Sequence, residues 1–362
     1  MKKKNAFTLI ELLAIIVILA IIAVITVPII LNIIENSRKG AATDSAYGYK
    51  DAINKYYLKK LYDNPNWNEF DATYNVNSDG NLVKSPTETY DITVSGQHPT
   101  DGYIVIQNKQ TSGCLIYGDY AVTIKNGEVT NTKKGDCKFA TQDDAITAGE
   151  ITTGDLVCIN DTEECFYVIS NENGITTMLA RYNLLVGYEK TYSMPDYQEI
   201  SNMEEGYGMQ NPTAKWQYGA GKGVVEFSDI NYWSSPNTVY PIDIYDEVNY
   251  SSAPNSGDNK YSVAYYVKNY KNYLLEKNAI INSARLLTKN EADAIKDIKY
   301  NNSYIMSITG NFWFENAHDD VYVNTFLQEA SPYGNWGMQN YNAKAGVRPV
   351  IEIPTSSINL KS

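Results

Sequence analysis

The chain has 362 residues and a formal net charge of −12 at pH 7, from 42 acidic and 30 basic side chains. An acidic surface of this kind repels the phosphate backbone, which argues against a nucleic-acid-binding protein. Only two histidines are present, His98 and His318, and their separation in the sequence argues against a histidine-based metal or acid–base site.

The first predicted element is a membrane-spanning helix over residues 12–31. Every residue in it is apolar except Thr26 and Pro28. At about 1.5 Å of rise per residue, the stretch spans the roughly 30 Å hydrocarbon core of a bilayer. Three lysines at positions 2–4 precede it and predict a cytoplasmic amino terminus with the remainder outside. Pro28 removes one backbone hydrogen bond and predicts a kink near the outer end.

One acidic side chain, Glu11, stands at the start of this apolar stretch. A charge inside hydrocarbon costs several kcal/mol, so its presence needs a physical reason. A positive amine on an adjacent helix would neutralise the carboxylate on assembly. The alternative is an ordinary signal-anchor helix in which Glu11 snorkels to the membrane interface.

The residues around Glu11, Asn5-Ala-Phe-Thr-Leu-Ile-Glu-Leu12, resemble the processing site of type IV pilins and pseudopilins. The resemblance implies that a prepilin peptidase cuts between Ala6 and Phe7 and that the new amino terminus at Phe7 is methylated. It also implies that Glu11 pairs with the amino terminus of a neighbouring subunit and that Pro28 is the family's helix-kinking proline. The chain departs from the family pattern at Ala6, where glycine is preferred.

The helix is predicted to continue beyond the membrane, giving a leader at 1–6 and one long helix over 7–62. Pro65 ends it. Residues 63–140 contain apolar and alternating runs between Gly, Pro and Asn, with an Asn126-Gly127 hairpin turn. Three or four antiparallel strands against the helix are predicted as the minimum that buries its apolar face, and this arrangement is also the pilin-like head that the resemblance implies. The predicted fold class is α+β.

All four cysteines, Cys114, Cys137, Cys158 and Cys165, lie in one stretch of the chain. An even number in an exported chain predicts disulfides, and four cysteines allow three pairings. Pairing within each segment, Cys114 with Cys137 and Cys158 with Cys165, is favoured. Zinc is the alternative, although the chain has no C-x-x-C motif.

A polar linker is predicted at 141–150, followed by an α+β module over 151–362. Within it, Thr288 and Glu291 form a capping-box pattern, and the proline-containing strand 346–354 is predicted near a sheet edge. Four stretches resemble C-type-lectin-like modules of the sulfatase-modifying type: Asn231-Tyr-Trp-Ser-Ser, Ala284-Arg-Leu-Leu-Thr-Lys-Asn-Glu-Ala, Asn311-Phe-Trp-Phe and Gly346-Val-Arg-Pro-Val-Ile. The resemblance implies irregular binding loops around a small twisted sheet. An unrelated mixed module is the alternative.

No nucleophile motif, phosphate-binding loop or dinucleotide-binding turn is present. No catalytic residue, cofactor or metal site is therefore predicted, and the acidic runs are interpreted as solvated faces, with calcium as the alternative. Three tryptophans, Trp233, Trp313 and Trp336, are candidate ligand contacts, because an exposed indole stacks on a sugar or anchors a protein partner. Core packing is the alternative for each.

The sequence as a whole predicts a minor or tip pilin-like subunit without catalytic activity. Its expected partners are other pilin subunits, a prepilin peptidase and methylase, the membrane, and an extracellular glycan or protein ligand, with no nucleic acid. Its expected location is the cytoplasmic membrane, amino terminus inside, and then a surface filament. The alternatives are a pseudopilin of a type II-like secretion or DNA-uptake system, or a pilin-anchored surface enzyme.

Overall fold

The architecture is taken from a computed structural model of the chain. It describes residues 9–65, 67, 70–85, 87–94, 96–107, 109–186, 188–190, 197–199, 216–217, 263–277, 279–308, 311–317, 322–327, 335–340, 343 and 345–361. Long helix, antiparallel sheets and short helices together make an α+β protein, as the sequence predicts.

One long helix, α1 (Leu9–Asp63), opens the described chain. Its carboxyl-terminal half buries one narrow face, formed by Ala42, Ala46, Tyr49 and Ile53, at spacings of three or four residues. The Tyr49 hydroxyl is buried there and donates a 2.8 Å hydrogen bond to the Gly80 carbonyl. The small alanines let the helix approach a sheet closely, and the tyrosine fixes its position along it.

That sheet has seven strands, all paired antiparallel, in the order β3-β2-β1-β4-β5-β6-β7. The strands are β1 (Thr73–Val76), β2 (Leu82–Ser85), β3 (Glu88–Tyr90), β4 (Asp101–Gln107), β5 (Gln110–Tyr117), β6 (Tyr120–Lys125) and β7 (Glu128–Lys134). The β6–β7 turn is the predicted Asn126-Gly127 pair, with φ values of 49° and 81° that suit a tight hairpin. The seven strands exceed the three or four that were predicted as the minimum. We call α1 and this sheet the amino-terminal module.

A second seven-stranded sheet has the order β14-β20-β11-β10-β9-β8-β21. Its strands are β8 (Ala140–Asp144), β9 (Leu156–Ile159), β10 (Cys165–Glu172), β11 (Ile175–Ala180), β14 (Ser283–Leu286), β20 (Pro349–Pro354) and β21 (Ile358–Asn359). Every pairing is antiparallel except the parallel pairing of β21 with β8. We call residues 137–361 the carboxyl-terminal module, because Cys137 and Phe139 belong to the same core as this sheet.

The remaining elements belong to the carboxyl-terminal module. They are β12 (Tyr188–Lys190), β13 (Tyr197–Glu199), α2 (Val263–Glu276), α3 (Lys289–Ile295), β15 (Lys299–Tyr300), β16 (Ser303–Tyr304), β17 (Phe312–Ala317), β18 (Tyr322–Leu327) and β19 (Asn335–Asn340), with short 3-10 helices at Ile305–Ile308 and Thr355–Ser357. The predicted capping box starts α3: the Thr288 side chain accepts from the Glu291 amide, and the Glu291 carboxylate accepts from the Thr288 amide.

One sequence prediction about this module was wrong. The linker predicted at 141–150 begins with strand residues, because β8 runs to Asp144 and pairs with both β9 and β21. The strand predicted near a sheet edge, β20, is second from the edge, between the edge strand β14 and β11. Its two prolines stand at the first and last positions, Pro349 and Pro354, where a missing amide interrupts little of the ladder.

Candidate functional site

The amino-terminal half of α1 is an exposed apolar rod. Its large side chains up to Ile34 are exposed, from 82% at Leu9 to 59% at Leu31 and Ile33. The most apolar window of the helix has a mean hydropathy of 3.3, and none of that window is buried within the chain. A surface of this kind is not stable in water, so it requires a membrane or neighbouring helices around it.

The predicted assembly residues lie on this rod. Glu11 is in the first turn of α1, and Pro28 lies inside the helix, which continues on both sides of the proline. Beside it, the Thr26 hydroxyl donates a 2.8 Å hydrogen bond to the Ile22 carbonyl. The predicted processing residues, Ala6 and Phe7, lie outside the described residues.

The helix is fixed to the sheet where the apolar rod ends. Glu35 forms a 2.7 Å ion pair with Lys134 of β7, and its accepted hydrogen bond raises the pKa of that lysine. The Tyr120 hydroxyl donates to the main-chain oxygen of Glu35 at 3.2 Å. About two helical turns further along α1, the Thr43 and Thr132 hydroxyls are 2.8 Å apart. Sequence reasoning missed these contacts, because they join residues about a hundred positions apart.

The first sheet is covered on both faces. Alternate residues of β4 belong to different cores: Ile104 packs with the α1 face, whereas Tyr103 and Val105 pack with the carboxyl-terminal module. The same alternation separates Leu115 from Cys114 in β5. Since neighbouring strand residues point to opposite faces, the carboxyl-terminal module lies on the side of the sheet away from α1.

Among the residues that the structure describes, three polar contacts and one disulfide join the two modules. The Asn282 amide donates to the Thr73 hydroxyl at 2.5 Å, and the ammonium groups of Lys125 and Lys138 donate to the main-chain oxygens of Leu275 and Ser356. The bridge between Cys114 and Cys137 ties β5 to the segment that leads into the second sheet. Module orientation is therefore set by contacts on both sides of the junction.

Both cysteine pairs are those favoured from the sequence. Cys114 pairs with Cys137, with α-carbons 5.5 Å apart, and Cys158 pairs with Cys165, with α-carbons 4.0 Å apart. The second bridge closes the β9–β10 hairpin, whose strands place the two cysteines directly opposite each other. No cysteine is left free.

A buried carboxylate, Glu164, lies next to that second bridge and was not predicted. It accepts hydrogen bonds from the main-chain amides of Trp216 at 2.6 Å and Gln217 at 3.2 Å, and from the Tyr270 hydroxyl at 2.8 Å. Burial raises the pKa of Glu164 to about 7, and these hydrogen bonds oppose the rise. The carboxylate thus joins the hairpin, α2 and residues 216–217.

The arginine of the Gly346-Val-Arg-Pro stretch has a structural role. Arg348 is fully buried and donates to four main-chain oxygens, those of Ala180, Arg181, Ile305 and Met306. Its guanidinium also lies 5.0 Å from the Phe312 ring centroid. Burial lowers its pKa to about 9. The residue fixes β20 to the short helix 305–308, and the lectin-like resemblance itself stays a prediction.

Of the three tryptophans predicted as ligand contacts, Trp313 is fully buried in the core of the carboxyl-terminal module, so that prediction was wrong for it. Trp233 lies outside the described residues. Trp336 lies in β19 opposite Phe326, and its contact role stays a prediction. Within the described ranges, no three His, Cys, Asp or Glu residues are grouped to hold a metal ion.

Comparison with known proteins returns one match. The family model of the prokaryotic N-terminal methylation motif matches residues 1–27, which include the first part of the apolar rod, Glu11 and the predicted cleavage site. No curated protein and no solved structure is significantly similar to the chain. Over this amino-terminal segment the chain is similar to proteins that carry the methylation motif, and the long apolar helix that begins within the segment supports a likeness to type IV pilins and pseudopilins.

Proposed function

We propose that this protein is a structural subunit of a type IV pilus or pseudopilus, present as a minor or tip subunit, that displays its carboxyl-terminal module for extracellular binding. The observation that carries the proposal is the two-sided first sheet. One face holds α1, whose exposed apolar half suits packing in a filament core, and the opposite face holds the second module. A module on the face opposite α1 points away from the helices that would form the filament core.

The distribution of charge supports outward display. Residues 140–362 contain 28 acidic and 15 basic side chains, whereas the rest of the chain is nearly balanced. An acidic module is repelled by anionic lipid head groups and by nucleic acid. It is also kept soluble at the surface by its charge.

The proposal implies an order of events. The chain is held in the cytoplasmic membrane by α1 with its amino terminus inside, cut by a prepilin peptidase, methylated, and then moved into the filament beside other pilin subunits. The displayed module binds an extracellular glycan or protein, and it carries out no catalysis. In the filament, Glu11 meets the amino terminus of a neighbouring subunit, since each charge is otherwise costly in an apolar surrounding.

Replacement of Glu11 tests the assembly role. Glu11→Ala and Glu11→Gln are expected to lower the amount of subunit in sheared filaments by tenfold or more. A tenfold change in the assembly equilibrium corresponds to about 1.4 kcal/mol, and breaking a buried ion pair costs more than that. The control is Glu128→Ala, an exposed carboxylate on β7. Incorporation of the Glu11 variants at the level of this control would refute the proposal, provided that membrane levels are equal.

Processing is tested separately by mass spectrometry after co-expression with an active or inactivated prepilin peptidase. The expected product begins at Phe7 and carries one added methyl group. Ala6→Gly is expected to be processed faster, because the family prefers glycine before the cut. A chain that keeps residues 1–6 with the active enzyme would contradict this step.

A further inference from the structure

A groove of about 610 Å³ opens at the junction of the two modules. The amino-terminal module contributes Asn75 of β1. The carboxyl-terminal module contributes the loop 149–151, the β10–β11 turn at Gly174 and residues 355–360. A β-carbon on Gly174 would lie 3.4 Å from the Asn75 amide nitrogen, so the two modules approach closely at this point. The volume lies within the range of small-molecule sites.

Several polar groups in the groove are available to a ligand. Asn75 and Glu150 are exposed, and in the described part of the chain their side chains have no hydrogen-bond partner. The Ser356 hydroxyl also has no partner among described residues, but it is buried behind the wall and does not reach the groove. Lys138 uses one of its three donors on the Ser356 carbonyl and keeps the others.

The wall that carries these groups is held in place by its own hydrogen bonds. Asn171 accepts from the hydroxyls of Thr176 at 3.3 Å and Thr355 at 2.8 Å. Its amide nitrogen donates to the Ile151 carbonyl at 3.2 Å. Binding to a wall fixed in this way costs less conformational entropy than binding to a mobile loop.

The composition of the groove defines the class of ligand. Its two charged side chains, Lys138 and Glu150, have opposite signs, so a strongly charged ligand would be attracted by one and repelled by the other. Ile151, Ile358 and the 44%-exposed Leu360 supply apolar surface. Hydroxyls that both donate and accept, carried on a partly apolar ring, match this mixture best.

We propose that the groove binds a short neutral saccharide, held by Asn75 from one module and by Glu150 and Lys138 from the other. The site differs from the tryptophans predicted from the sequence, and it depends on the relative position of the modules. This inference rests on the proposed function, because it assigns the ligand class of the displayed module.

The test is binding of the purified full chain, in detergent micelles, to an array of neutral, anionic and cationic oligosaccharides, followed by titration of the strongest ligand. A neutral saccharide is expected to bind. Asn75→Ala and Glu150→Ala are each expected to weaken it about 5- to 10-fold, the loss of one hydrogen bond. Both side chains are exposed and have no partner among the described residues, so the variants are expected to keep the fold.

Matched controls are Asn290→Ala, an exposed asparagine on α3, and Glu128→Ala, an exposed glutamate on β7. Their affinities are expected to equal that of the parent chain. The inference is overturned if no neutral saccharide binds, if a charged saccharide binds more tightly than every neutral one, or if the groove and control variants change the affinity equally. The proposed function is tested by a different measurement: it fails if the Glu11 variants enter filaments as well as their control does. The two outcomes are therefore distinguishable.

Discussion

At the scale of single residues, the carboxylate of Glu164 is the group whose charge state matters most to stability. It is fully buried yet accepts three hydrogen bonds from the Trp216 and Gln217 amides and the Tyr270 hydroxyl. Desolvation is the larger effect and raises its pKa from an ordinary 4.5 to about 7. The folded protein therefore binds a proton at this site over a pH range in which the unfolded chain has released it.

Stability is expected to fall as pH rises through this range. Because the folded pKa of Glu164 is the higher one, its contribution is fully present below about pH 4.5 and is lost by about pH 7, a change of about 3 kcal/mol. Glu164→Gln, which cannot ionise, is expected to remove this dependence and to be less stable than the parent chain at acid pH, because its amide N–H group meets the main-chain N–H donor of Trp216 or Gln217. Denaturant unfolding of the full chain in micelles from pH 4.5 to 8 measures it.

The control for this prediction is Glu172→Gln, an exposed carboxylate on the same hairpin. It is expected to unfold with the pH profile of the parent chain. A profile of Glu164→Gln that still falls between pH 5 and 7 would assign the dependence to other groups.

At the scale of elements, α1 contains two glycines that weaken it. Gly40 and Gly48 lie inside the helix, and a β-carbon at either position would meet nothing within 4 Å. Replacement by alanine is expected to stabilise the chain by about 0.5–1 kcal/mol each, because alanine restricts the unfolded backbone. Gly127→Ala is the control with the opposite expected effect. The φ of 81° at this position disfavours any side chain, so the substitution is expected to destabilise the chain. Unfolding in micelles compares the three, and equal effects would contradict the argument.

The elements that the sequence predicts well are those with local signals. The long helix is predicted over 7–62 and observed over Leu9–Asp63, since an unbroken apolar run and Pro65 mark it directly. The capping box at Thr288 and the hairpin turn at Asn126 are likewise local patterns. Both disulfides follow from proximity in sequence.

The elements that it predicts poorly depend on distant partners. The polar stretch Ala140–Asp144 becomes a strand by pairing with β9 and, more than two hundred residues away, with Ile358 and Asn359. Trp313 could not be assigned to the core from its neighbours, because burial depends on elements remote in sequence. The groove beside Asn75 needs both modules in place, and no local pattern indicates it.

At the scale of the whole molecule, the first sheet contributes side chains to the cores of both modules. Tyr103, Val105, Cys114 and Ala121 of the first sheet belong to the same core as the second sheet and α2. Their strand neighbours belong to the core beneath α1. Local unfolding on one face of the first sheet therefore disturbs residues that are neighbours in the backbone of those on the other face. We expect the modules to unfold together.

Removal of the bridge between the modules tests this coupling. Cys114→Ser with Cys137→Ser opens a loop of 23 residues and is expected to cost about 3 kcal/mol. Hydrogen exchange should then show lower protection in β4–β6 and in β10–β11 at the same denaturant concentration. Cys158→Ser with Cys165→Ser, a loop of 7, is the matched control with a cost of about 2 kcal/mol. Loss of protection in only one sheet of the first variant would show that the modules unfold independently, and a groove built from both would then lack a stable geometry.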